Sequence, residues 1–102
     1  MIVKIDVNSQ DIENGKRYCG WMCPVANAMF RVTGWKWQVD YGMMHPIAAP
    51  KEEIYVEGGA LSRIVEFDRD GWMEPFTFEA DIPEKFAKVS DGVLAGSTGT
   101  KE

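Results

Sequence analysis

From residue 35 to residue 43 the chain alternates without a break. Trp35, Trp37, Val39, Tyr41 and Met43 occupy every second position, with Lys36, Gln38, Asp40 and Gly42 between them. A strand turns successive side chains to opposite faces, so this pattern produces one apolar face and one polar face. It predicts a central strand with Trp35 and Trp37 as natural core residues. The chain around it must then supply a partner layer.

The flanking sequence supplies candidates for that layer. Ile2 to Val7 alternates in the same way, with Val3, Ile5 and Val7 on one face. Ser9 is placed to cap a single helical turn that Gly15 ends. A helix is predicted from near Cys23, because Pro24 suits a first helical position, and Gly34 closes it. Val25, Ala28, Met29 and Val32 fall on one stripe of that helix. The prolines in residues 44–51 predict a loop. Glu53 to Glu57 reads as a short strand with Ile54 and Val56 inward. A helix from Ala60 to Arg69 follows, with Leu61, Ile64, Val65 and Asp68 on one side, ended by Gly71. Phe76, Phe78, Ala80 and Ile82 mark a last strand. Pro83 opens a turn holding Phe86 and Val89. The Gly, Ser and Thr content from Ser90 onward predicts a flexible tail.

The order is β-α-β-β-α-β. It predicts a single α+β domain over residues 1–89 and a tail over 90–102. The expected core is a mainly antiparallel sheet of about four strands with two short helices on one face. That arrangement is compatible with a ferredoxin-like sandwich, and fold alone would carry no function.

The charge is unevenly spread. Residues 1–39 hold five Lys/Arg against three Asp/Glu, and residues 40–84 hold three against eleven. A net-acidic chain without a basic stripe is a poor ligand for phosphates, so direct nucleic-acid binding is not expected. The acidic middle favours a basic partner. No stretch reaches the roughly 20 apolar residues of a membrane helix, so no membrane role is expected. Met1 to Val7 lacks the basic and apolar regions of a signal peptide, and a cytoplasmic location is expected by default. Two cysteines are too few for a disulfide scaffold.

A set of short motifs is shared with a known group. These are Ile5-x-Val7, Asp11-Ile12-x-x-Gly15, Cys19, and Cys23-Pro24-Val25-Ala26-x-Ala28 in the first half. Phe67-Asp68-Arg69-Asp70-Gly71 and Pro75-Phe76-Thr77-Phe78-Glu79 follow in the second. The pattern resembles small uncharacterised phage-encoded proteins that open with a strand, enter a Cys-Pro-Val-Ala helix start, and end with a Pro-Phe-x-Phe-Glu strand. The resemblance covers about residues 2–83. The long Met43–Lys51 loop and the high tryptophan content depart from the pattern. The resemblance implies no activity. It implies a mobile-element context, in which small proteins often bind and disable host machinery, including CRISPR and other defence systems.

Catalytic signatures are missing from the sequence. Cys23 at a helix start could be a lowered-pKa thiol. Three residues separate it from Cys19, however, where the thioredoxin motif has two. Cys19, Cys23 and His45, with Asp40 as a fourth, are the only metal-ligand candidates, and a zinc site needs three or four that converge. His45 is the lone histidine, so any nucleophile–histidine hydrolase would have to use it. Glu79 and Asp81 share a strand face, where an ordinary solvated surface is the simpler reading.

The remaining anomaly is the pairing of tryptophan with methionine in connecting segments. Trp21-Met22 and Trp72-Met73 sit where backbones usually run over the surface. Such side chains are enriched at interface centres, although they can also fold back to plug the ends of a sheet. The expected function is therefore non-enzymatic, with no cofactor: binding to a host protein or protein complex, as an inhibitor. Trp21, Met22, Trp72 and Met73 are the expected anchors, and Glu66, Asp70, Glu74 and Glu79 the acidic surround. The alternatives are a metal- or thiol-dependent protein using Cys19, Cys23 and His45, and a structural subunit of a phage particle. The sequence sets no oligomeric state.

Overall fold

A computed structural model describes residues 1–40, 42–56 and 58–87. The chain is an α+β fold. Its elements are β1 (Ile2–Val7), α1 (Ser9–Glu13), α2 (Pro24–Thr33), β2 (Trp37–Val39), β3 (Met43–Pro46), β4 (Ile54–Tyr55), α3 (Gly58–Asp70) and β5 (Phe76–Asp81). A 3-10 turn at Glu84–Phe86 follows. Among the described residues the strands form two antiparallel sheets, not one of four strands. β1 pairs with β5, and β2, β3 and β4 form the other sheet in chain order. The expected tail and Val89 lie outside the described residues.

β1 and β5 match over their whole length, from Ile2 opposite Asp81 to Val7 opposite Phe76. Alternation on both strands sends Ile5, Val7, Phe78 and Ala80 into the core. α2 packs on β1 and lays Val25, Ala28 and Met29 into the same core. Each such fully buried aliphatic side chain larger than alanine contributes about 1.5–3 kcal/mol.

The long alternating segment is two strands. Val39 faces Met44, Gln38 faces His45 and Trp37 faces Pro46, so the chain reverses between Val39 and Met44. Asp40 and Gly42 are turn formers, and the alternation runs through the reversal and hides it. After the turn the parity changes: Met44 is fully buried and Met43 only half so. Residues 44–46 are strand where a loop was expected. Pro46 is tolerated because β4 pairs only with Met43 and Met44 and needs no N–H from it.

Trp35 departs from its expected core position. It is 38% exposed and meets Phe86 edge-on at 4.9 Å. Trp37 is buried, and Thr33 directs it there. The Thr33 hydroxyl donates to the Met29 carbonyl at 2.7 Å and accepts the Trp37 indole N–H at 3.1 Å. It also accepts the Trp35 N–H at 3.2 Å. One side chain thus joins the end of α2 to the start of β2. Gly34, at φ 80°, makes the left-handed exit between them.

α3 is rotated from the expected face. Ala60, Ile64, Phe67 and Asp68 are buried, while Val65 is exposed. Burying the Phe67 ring outweighs burying Val65. Asn8, not Ser9, caps α1. Its side chain accepts the Asp11 N–H at 2.9 Å, and the Asp11 carboxylate accepts the Asn8 N–H at 3.0 Å. The buried Asp11 also takes two bonds from Arg31 of α2, at 3.3 and 2.9 Å. This pair locks α1 against α2. Asp11→Ala keeps the Asn8 cap but removes the reciprocal half of the capping box together with the ion pair, and should cost about 2–3 kcal/mol by urea unfolding with an unchanged m-value.

Candidate functional site

The connection between α1 and α2, residues 14–23, is a strap across the molecule. Its own backbone closes it: Lys16 N–H donates to the Met22 carbonyl at 2.8 Å, and Met22 N–H to the Cys19 carbonyl at 3.3 Å. Arg17 reaches across to α3. Its guanidinium donates to the carbonyls of Asp68 and Arg69, at 2.8 and 2.6 Å, satisfying two groups that a helix C-terminus leaves open. Tyr18 N–H donates to the Asp68 carboxylate at 2.8 Å. Tyr18 sits at φ 57°, a left-handed conformation uncommon for a bulky residue, held by these bonds. The Val39 N–H donates to the Gly20 carbonyl at 2.7 Å and ties the strap to β2. A side chain at position 20 would collide with the Gln38 amide and come within 2.6 Å of the Val39 carbonyl, so glycine is needed there.

Among the described residues, two clefts border the strap. The larger, about 340 Å³, lies between the strap, the end of β2 and α3. Cys19, Cys23, Asp40 and Asp68 all line it, together with Tyr18 and Gln38. The smaller, about 150 Å³, has Trp21 and Met22 on one side and Phe30, Lys36 and Trp37 on the other. Trp21 is 54% exposed and Phe30 49%.

The expected anchors are divided among three places. Trp21 and Met22 share the smaller cleft. Trp72 is 48% exposed, just past the left-handed Gly71, and borders neither of these two clefts. Met73 is 1% exposed and belongs to the core; the next apolar position before β5 turns inward to seal it. Of the acidic surround, Glu66 lies near Arg63 at 3.5 Å, and Asp70 pairs with Arg69 at 2.7 Å. That pairing holds the Asp70 carboxyl below its ordinary range. Glu74 and Glu79 are exposed, with Glu79 opposite Lys4 in the β1–β5 register. Trp21 is thus flanked by Lys36 and not by these acids.

The cysteines share the larger cleft but differ in character. Cys23 caps α2, its sulfur accepting the Ala26 N–H at 3.5 Å. Burial pushes its thiol up from an ordinary 9.0 to about 11, against the lowering by the helix N–H groups. That is the opposite of the lowered pKa a redox nucleophile requires. His45 is on β3, with Nδ1 2.9 Å from the Pro46 carbonyl, and does not line the cleft with Cys19 and Cys23. Among the described residues no three His, Cys, Asp or Glu side chains are grouped to hold a metal ion. Glu79 and Asp81 point outward from β5, and Asp81 accepts from the N-terminal amine at 3.0 Å. No described helix is long and apolar enough to cross a membrane.

Phe30 and Asp68 gain their importance only in the structure. Asp68 left one trace in the sequence, a carboxylate within the apolar face of a helix. No protein-family model, curated protein or solved structure matches the chain.

The thiols give a direct check. At pH 7.5 an aromatic disulfide reagent should modify Cys19 quickly and Cys23 only as the protein opens. Because folding raises the Cys23 pKa, the stability it confers is complete below pH 9 and is lost as pH rises toward 11. Cys23→Ala should flatten that part of the stability–pH curve.

Proposed function

We propose that the chain is a non-enzymatic binding protein, encoded by a phage or other mobile element, that inhibits or redirects a host protein or complex in the host cytoplasm. Inhibition of a defence system such as CRISPR falls within this reading. The observation that carries it is the exposure of Trp21 and Phe30 around one small cleft, with Trp72 exposed elsewhere. Large aromatic side chains are costly to leave in water and dominate binding energy at interface centres. The mobile-element origin rests on the motif resemblance around Cys23-Pro24-Val25-Ala26. The raised Cys23 thiol disfavours the thiol-dependent alternative.

Affinity capture from host lysate, with and without nuclease, tests the reading. A stoichiometric protein partner should survive nuclease. Trp21→Ala should weaken its capture by about 2 kcal/mol or more, the scale of an interface hot spot, while the native fold is kept, as judged by unchanged near-UV signal from buried Trp37. Acrylamide should quench Trp21 and Trp72 in the free protein and spare them in the complex. Absence of any partner in matched lysates, or capture indifferent to Trp21 and to Trp72, would remove the proposal.

A further inference from the structure

The larger cleft has a chemical character of its own. At about 340 Å³ it falls within the size range of ligand clefts, about 300–1,000 Å³. Its apolar surface comes from Cys23, Val39 and Ile64. Its charge comes from two carboxylates on different elements, the buried Asp68 of α3 and the exposed Asp40 at the end of β2. Among the described lining residues none is Lys, Arg or His. Arg17 is close by; its guanidinium donates to the α3 carbonyls and lies over one face of the largely exposed Tyr18 ring, 5.8 Å from its centroid. Among the described residues no cation forms an ion pair with Asp40. The Gln38 amide and the exposed Tyr18 ring complete the walls.

This combination suits a cation on an apolar stem. An anion would meet two carboxylates. A bare metal ion would leave most of the volume and all of the apolar surface unused, and hard cations call for more oxygen ligands than are offered. A guanidinium can face a carboxylate with two parallel N–H bonds and stack its plane on an aromatic ring, while its methylenes cover apolar surface. A compact ammonium matches only the charge. The eleven acids against three bases over residues 40–84 would draw such a group in.

We propose that the cleft between Tyr18, Asp40 and Asp68 receives an arginine side chain presented by a protein partner. Asp40 binds the guanidinium, Tyr18 stacks on it, Asp68 adds its field from below, and Val39 and Ile64 cover the stem. The presenting partner rests on the binding-protein reading above; the cleft's chemistry does not, and it is a different surface from the Trp21 face.

The test is a titration of the full ¹⁵N-labelled chain with the blocked tripeptide acetyl-Gly-Arg-Gly-amide, followed by amide shifts. The control replaces arginine with citrulline, which keeps the shape and removes the charge. Saturable shifts should centre on Tyr18, Cys19, Val39 and Asp68, with citrulline binding about tenfold or more weaker, the loss of a charge-assisted pair. Asp40→Asn, at an exposed turn that tolerates asparagine, should weaken the arginine peptide severalfold with the rest of the spectrum unchanged. Trp21→Ala should leave it unaffected. Equal response to arginine and citrulline, shifts centred elsewhere, no saturable shift, or indifference to Asp40→Asn would each overturn the proposal. The titration needs no natural partner, so a failed titration beside Trp21-dependent capture would remove the cleft alone. Failed capture beside a positive titration would remove the binding-protein reading and, with it, the protein origin assigned to the arginine.

Discussion

A buried carboxylate at the end of α3 fixes the segment on which both clefts depend. Asp68 is removed from water at a cost of several kcal/mol unless its oxygens are met by donors. The Tyr18 N–H is one such donor. Arg17 meanwhile binds the backbone of the same residue and the next. The strap is thereby held over the C-terminal end of α3, about fifty residues away in sequence. No buried side-chain nitrogen or oxygen among the described residues lacks a partner, as expected of a fold that uses polar contacts to set geometry and not merely to tolerate burial.

The strap works as a divider. Its Gly20 end is bonded to β2, and its Cys23 end becomes the cap of α2. Cys19 and Tyr18 fall on the side of α3, and Trp21 and Met22 on the side of Phe30. One cleft is larger and acidic; the other is smaller, aromatic and edged by Lys36. The two faces offer different chemistry, so a partner meeting both would be recognised by shape and by charge. The apolar contact would supply most of the affinity, and the charged cleft mainly specificity.

Rigidity of this kind suits binding. Among the described residues the elements are short and the two sheets small, and the polar clamps at Asp11–Arg31, Thr33–Trp37 and Arg17–Asp68 add to the definition of the fold. Each joins a helix to the element beside it. A surface already ordered before contact loses less conformational entropy when it binds.

Much of the fold was legible in residue order. Alternation located β1 and β5 and their inward residues, because strand parity is a local property of the backbone. Cys23-Pro24 and Gly34 bounded α2 for the same reason: caps and left-handed exits are set by neighbouring residues. The place of Trp21 and Trp72 in connections left open whether they lie on the surface or plug the ends of a sheet, and the fold leaves each about half exposed. What sequence could not decide was where a continuous alternation folds back on itself, since both arms of the β2–β3 hairpin obey the same period. It could not separate Trp35 from Trp37, because only Thr33 and the helix above it select one ring for the core. It could not tell Met73 from Met22 either, as each follows a tryptophan in a connecting segment and burial depends on what lies opposite. The larger cleft is tertiary in origin. Tyr18, Asp40 and Asp68 are far apart in the chain, and only the strap's hydrogen bonds to α3 and β2 bring them to one surface.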